Sequence, residues 1–135
     1  VILKCHPLMP FRRIARALGL APLPEHIQVS EEPLERLLQE GGVMVYSTGL
    51  SCIEALDLGV PVVHLQPDLN LDLDPLDFAP EVRPSVRTPR ELAAAVEHIV
   101  RDRQSLVTTY GEQWRTVVQQ LLGEVSEETY ALFLE

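Results

Sequence analysis

Residues 43–65 restrict the fold more than any other part of the chain. Val43, Met44, Val45 and Tyr46 form an apolar run too short and too β-branched to be a helix of its own. Ser47, Thr48 and Gly49 follow as a small polar turn. Leu50, Ile53 and Leu56, with Ala55, then have helical spacing that stops at Gly59, and Pro61, Val62 and Val63 open a second buried run. The order strand, turn, helix, glycine, strand describes a βαβ unit, which requires a parallel sheet. In such a unit the turn after the first strand lies at the carboxyl edge of the sheet, where backbone N–H groups are free to meet an anion.

The rest of the chain extends this alternation. Residues 1–5 read as a buried strand ended by His6-Pro7, because Pro7 cannot donate to a ladder and keeps His6 extended. Phe11, Ile14, Ala15 and Leu18 form the apolar stripe of a helix whose other face carries Arg12, Arg13 and Arg16, with Gly19 as its C-cap. A short strand over 26–29 precedes a helix capped by Ser30, with Glu31 and Glu32 in its first turn, Leu34, Leu37 and Leu38 on its apolar face, and Gly41-Gly42 at its end.

Beyond Leu65, proline, acid and leucine alternate without a helical period, so residues 66–77 read as an excursion. A short strand is expected within 82–87. Thr88-Pro89-Arg90-Glu91 is a capping box with proline at the first helical position. Leu92, Ala95, Val96 and Ile99 line the helix it opens, and Arg101 and Arg103 sit near that helix's end. Val107, Tyr110, Trp114, Val117, Val118 and Leu121 describe a longer amphipathic helix ended by Gly123, and Ser126 would cap a last short one over 127–134. The expectation is an α/β domain with a doubly wound parallel sheet, helices on both faces and helices trailing at the C-terminus.

Length and charge narrow the function. The 135 residues suffice for one domain, 46% apolar and 23% charged as in globular proteins generally. The first residue, Val1, already lies in an apolar run, and no signal-peptide pattern precedes it. The sequence therefore reads as one domain, 1–135, cut from a longer chain. A net charge of −9 argues against nucleic-acid and anionic-lipid partners. No apolar run approaches the roughly 18 residues needed to span a bilayer. Two widely spaced cysteines in apolar settings, Cys5 and Cys52, suggest reduced thiols and a cytoplasmic location.

Several residues invite chemistry, each with a plainer alternative. Ser47, Thr48, Gly49 and Ser51 would cradle a phosphate through hydroxyls and backbone N–H groups; alternatively Ser47 or Thr48 caps the helix and Gly49 relieves crowding. Glu54, six positions after Thr48, would accept hydrogen bonds from a ribose diol; alternatively it is a solvated helix residue. His6, at a strand end, would donate to a phosphate or sugar hydroxyl, or else bond to nearby backbone. Arg12 and Arg13 would add positive potential, or form a solvated face.

Two metal patterns fail. Asp68, Asn70, Asp72 and Asp74 match odd positions of a calcium loop, but the glycine position holds Leu73 and the twelfth position holds Ala79. Asp72-Leu73-Asp74 is a D-x-D lacking the buried strand that would aim it. With no G-x-S-x-G, Walker lysine or G-x-G-x-x-G, serine-hydrolase, kinase and dehydrogenase chemistry have no support.

Taken in order, these pieces resemble a family. Lys4-Cys5-His6-Pro7 resembles the K-x-H-P strand end of capsule and surface-polysaccharide glycosyltransferases. Ser47-Thr48 through Glu54-Ala55 to Gly59-Val60-Pro61-Val62 resembles the S-[ST]-x5-E-A-x3-G-x-P-V segment of GT-B glycosyltransferases and of the related nucleotide-sugar 2-epimerases. Thr88-Pro89-Arg90-Glu91-Leu92 resembles the element that follows in the same order. The resemblance covers most of 1–102. It implies one half of a GT-B fold, a Rossmann-like domain holding a UDP- or CMP-type sugar donor, with no metal and no separate cofactor. Carried over, Ser47, Thr48 and Gly49, with Ser51 beside them, would meet the phosphates, Glu54 the ribose, and His6 the phosphate or base edge. No catalytic residue is assigned, because the acceptor-binding half of the same chain commonly supplies the general base; the fragment alone would bind donor without turning it over. The implied role is polysaccharide or cell-surface glycan synthesis. Two alternatives stand beside it: half of a 2-epimerase, and a non-catalytic α/β interaction module docking a partner through the helix that carries Trp114.

Overall fold

The computed structural model describes residues 1–20, 22–66 and 73–123. The chain divides into two compact units, 1–37 and 38–135.

In the first unit, β1 (Ile2–Lys4) pairs in parallel with β2 (Gln28–Ser30), with Leu3 opposite Val29. Between them runs α1 (Phe11–Leu18), closed by Gly19 at φ 60°, whose N–H bonds to the Ala15 carbonyl. Only glycine enters this left-handed region without steric cost, so the C-cap is read directly from the sequence. Phe11, Ile14 and Ala15 are half-buried as expected, whereas Leu18, assigned to the same stripe, is exposed.

The helix after β2 corrects one expectation. It is α2 (Leu34–Gln39), six residues that begin four positions after Ser30. The Ser30 hydroxyl accepts from the Glu32 N–H at 3.2 Å, so it closes a local turn and caps nothing. Glu31 and Glu32 lie outside the helix because Pro33 disfavours helical conformation at the residue before it; Glu35 is the acid of the first turn.

The second unit holds β3 (Met44–Tyr46), α3 (Ser51–Asp57) and β4 (Val62–Leu65), the βαβ unit expected from residues 43–65. β4 pairs in parallel with β3 on one side and with β5 (Ser85–Val86) on the other. The Gly59 N–H bonds to the Leu56 carbonyl and the Val60 N–H to the Ala55 carbonyl, a Schellman closure that turns the chain straight into β4. The short strand expected within 82–87 forms as β5, and a 3-10 turn, Pro80–Val82, precedes it. All strand pairs are parallel, and the fold is α/β. The strands form two small sheets, β1-β2 and β3-β4-β5, where the sequence suggested one.

One long helix, α4 (Pro89–Leu122), replaces the two expected over 89–122. No proline or glycine lies between Asp102 and Val107, so nothing interrupts the backbone ladder, and Gly111 is absorbed in the interior. Arg101 and Arg103 are consequently mid-helix. The Thr88 capping box forms as read: its hydroxyl accepts from Glu91 N–H and the Glu91 carboxylate accepts from Thr88 N–H. Val63, Val86 and Ile99 form a core cluster with Leu92, Ala95 and Leu106 packed on it. The helix expected over 127–134, and Asp68, Asn70 and Asp72 of the calcium-like pattern, lie outside the described residues.

Candidate functional site

The turn between β3 and α3 stands on two fixed points. The first is Tyr46, the last residue of β3 and 5% exposed, whose phenol donates to Asp74 Oδ1 at 2.7 Å. The second is Cys52, fully buried in the first turn of α3, whose thiol donates to the Gly49 carbonyl at 3.4 Å. Burial, aided by the Asp74 charge, pushes the Cys52 thiol up to about 11, so it stays a protonated donor at neutral pH. Burial and the hydrogen bond to Asp74 push the Tyr46 phenol well above its ordinary value, so that bond persists too.

Between these anchors Ser47, Thr48, Gly49 and Leu50 are exposed, and Ser51 is half-buried. Gly49 has φ +89° and open space where a Cβ would stand. The capping alternative does not hold: the N-cap of α3 is Leu50, and no side chain bonds to the helix end. The hydroxyls of Ser47 and Thr48 are therefore free to meet solvent or a ligand. On α3, Cys52, Ile53, Ala55 and Leu56 are buried while Glu54 is exposed. One solvent-facing stretch thus carries Ser47, Thr48, Gly49, Ser51 and Glu54.

His6 belongs to the first unit. It is exposed, its Nδ1 accepts from the Leu8 N–H at 3.2 Å, and it lines a cleft of about 250 Å³ with Lys4, Phe11 and Val29. The backbone alternative for His6 is thus realised at Nδ1. Arg12 and Arg13 are exposed on α1.

Beneath the turn lies a buried polar cluster that sequence reasoning missed. Besides Tyr46, Asp74 accepts from the Leu76 N–H at 3.0 Å and forms an ion pair with Arg83. His64 of β4 sets Nδ1 3.4 Å from Asp74 Oδ2 and 3.0 Å from Ser85 Oγ of β5, and its ring lies 5.2 Å from that of Tyr46. Burial alone would raise the Asp74 carboxyl. The Tyr46 hydroxyl, the Leu76 N–H, the Arg83 charge and His64 together outweigh it and hold Asp74 below the ordinary carboxylate range. The cluster ties Tyr46 of β3, His64 of β4 and Ser85 of β5 to Asp74 and Arg83. The signal for it was a histidine inside the otherwise apolar run 60–65.

Among the described residues no group of three or more His, Cys, Asp or Glu side chains is arranged to hold a metal. Nor is any helix among them long and apolar enough to cross a membrane. Compared with family models, with curated proteins and with solved structures, the chain gives no match.

Proposed function

We propose that this chain is the donor-binding part of a GT-B glycosyltransferase, a metal-independent enzyme of polysaccharide or cell-surface glycan synthesis. In this reading the β3–α3 turn binds the phosphates of a nucleotide sugar. The observation that carries the reading is the state of the turn: Ser47 and Thr48 are exposed and uncommitted to any helix cap, while Tyr46 and Cys52 hold the backbone on either side of them. A preorganised set of small donors suits phosphate oxygens, since little ordering cost remains at binding. Glu54 is the one exposed acid on α3 before Asp57 and would accept from the ribose hydroxyls. In the first unit His6 keeps Nε2 for a phosphate or sugar hydroxyl, its Nδ1 being engaged with Leu8, and its part in nucleotide binding is a separate arm of the test. The acceptor-binding domain and the general base would come from the rest of the same protein, acting in the cytoplasm.

The test is calorimetric titration of UDP and CMP into the full-length protein, with Ser47→Ala, Glu54→Ala and His6→Ala alongside. Loss of a hydrogen bond to a charged partner is worth about 1.5–3 kcal/mol, so Ser47→Ala should weaken binding on the order of 10- to 100-fold. Absence of binding to any nucleoside mono- or diphosphate would end this reading in favour of an interaction module.

A further inference from the structure

The strands of the second unit share one carboxyl edge, and their register places what leaves it. Tyr46 lies opposite His64, and Leu65 lies opposite Val86. The Gln66 N–H extends the second ladder by bonding to the Val86 carbonyl at 2.9 Å. Ser47, Gln66 and Arg87 are therefore the first residues past β3, β4 and β5 on that edge. Neighbouring strands run about 4.8 Å apart, so the Ser47–Gly49 turn and Arg87 leave the edge about 10 Å apart, with Gln66 between them.

The Arg87 side chain spans part of that gap. Its Nε donates to Gln66 Oε1 at 3.0 Å, which draws the guanidinium from β5 toward β4, the side on which β3 lies. Arg87 is exposed, and its Nη groups have no partner among the described residues. The Glu91 carboxylate beside it accepts instead from the backbone N–H groups of Arg87 and Thr88, at 2.8 and 3.1 Å. A guanidinium held at Nε and open at Nη keeps the planar donor set that matches phosphate oxygens.

The edge also lacks any other held cation. The turn presents hydroxyls and backbone N–H groups only, Glu54 adds an acid on the helix that follows, and the chain carries a net charge of −9. A phosphate is drawn to such an edge where a local positive charge offsets that field. Among the arginines of this unit, Arg83 is buried against Asp74, and Arg101, Arg103 and Arg115 lie farther along α4. Arg90 stands in the first turn of α4, with no side-chain bond among the described residues to hold it.

We propose that Arg87 is the phosphate-binding cation of the β3–α3 turn. Oriented by Gln66, its Nη groups pair with phosphate oxygens of the nucleotide whose other oxygens meet Ser47 and Thr48. The proposal rests on the donor-binding reading and adds to it a residue outside the turn, which supplies the positive charge that the turn lacks.

The test titrates UDP and CMP calorimetrically into the full-length protein, as wild type, Arg87→Ala, Arg87→Lys and Arg90→Ala, at two salt concentrations. Arg87→Ala should weaken the bound nucleotide roughly 10- to 100-fold. Arg87→Lys keeps the charge and loses the fork, so its affinity should fall between the two. Arg90→Ala should change affinity less than about 3-fold. Added salt should weaken the wild type more than Arg87→Ala, an effect that a merely structural role would not produce. Should Arg87→Ala not fold, Arg87→Gln, neutral and with a long stem, carries the same expectation. Nucleotide binding unchanged in the neutral variant, or weakened equally in Arg90→Ala, overturns the proposal and leaves the donor-binding reading standing. No binding of either nucleotide by the wild type overturns both.

Discussion

The phenol of Tyr46 and the carboxylate of Asp74, 28 residues apart, meet at 2.7 Å with both side chains buried. This contact fixes the residue immediately before Ser47 to the segment that precedes the 3-10 turn at Pro80–Val82. It is one of several bonds to the same carboxylate, so its members differ in what their removal exposes. Tyr46→Phe leaves Asp74 its bonds to Leu76 and Arg83 and should cost about 1–2 kcal/mol. Asp74→Ala leaves the Arg83 guanidinium buried and unpaired and should cost about 3–5 kcal/mol. Urea denaturation of the two variants checks the order; equal losses would mean that Arg83 reaches solvent once released.

Acid should act on the same carboxylate. Its pKa in the folded protein is held below the ordinary 3.8, so the unfolded chain binds its proton first as pH falls. The stability contributed by Asp74 is fully present well above pH 3.8 and is lost as pH drops through that value toward the lower folded pKa. The urea midpoint of the wild type should therefore decline through this window more steeply than that of Asp74→Asn, which lacks the titrating group. Parallel declines would assign acid sensitivity to other carboxylates.

At the start of α4, Thr88→Ala removes the acceptor for the Glu91 N–H and should destabilise the protein by about 1 kcal/mol, whereas Thr88→Ser should retain most of the cap. The Glu91 carboxyl, lowered chiefly by bonds from the Arg87 and Thr88 N–H groups, is the return half of the same box. Thermal denaturation of the three proteins side by side gives the comparison.

Farther along α4, Gly111 occupies a helix interior with nothing within 4 Å of where a Cβ would stand. Gly111→Ala should therefore stabilise by about 0.5–1 kcal/mol, chiefly by restricting the unfolded chain. A lowered melting temperature would show that the backbone at this position is not regular helix in solution.

What the sequence made legible was local. The Gly19 C-cap, the Gly59 closure and the Thr88 capping box each depend on a few adjacent residues with one good conformational solution, and all three formed as read. The turn at Ser47–Gly49 was legible for the same reason. The Asp74 cluster was not, because its partners come from β3, β4 and the approach to β5, and nothing within residues 72–74 distinguishes a buried acceptor from a D-x-D metal pair. The joining of two expected helices into α4 shows the converse. Charge placement at Arg101 and Arg103 suggested an ending, but a weak preference for the helix C-terminus cannot stop a helix in which no breaker is present.

The uninterrupted course of α4 has a mechanical meaning. Its 34 residues make a rod about 51 Å long, several times the span of the four-residue β4. The rod is seated on the core by Leu92, Ala95, Ile99 and Leu106, and farther along by the buried group Trp114, Val117 and Val118. A rod held at two separated groups of contacts does not pivot about either one. Removing residues beyond Val118 would therefore leave both sets of contacts in place, whereas a break between Leu106 and Trp114 would divide them.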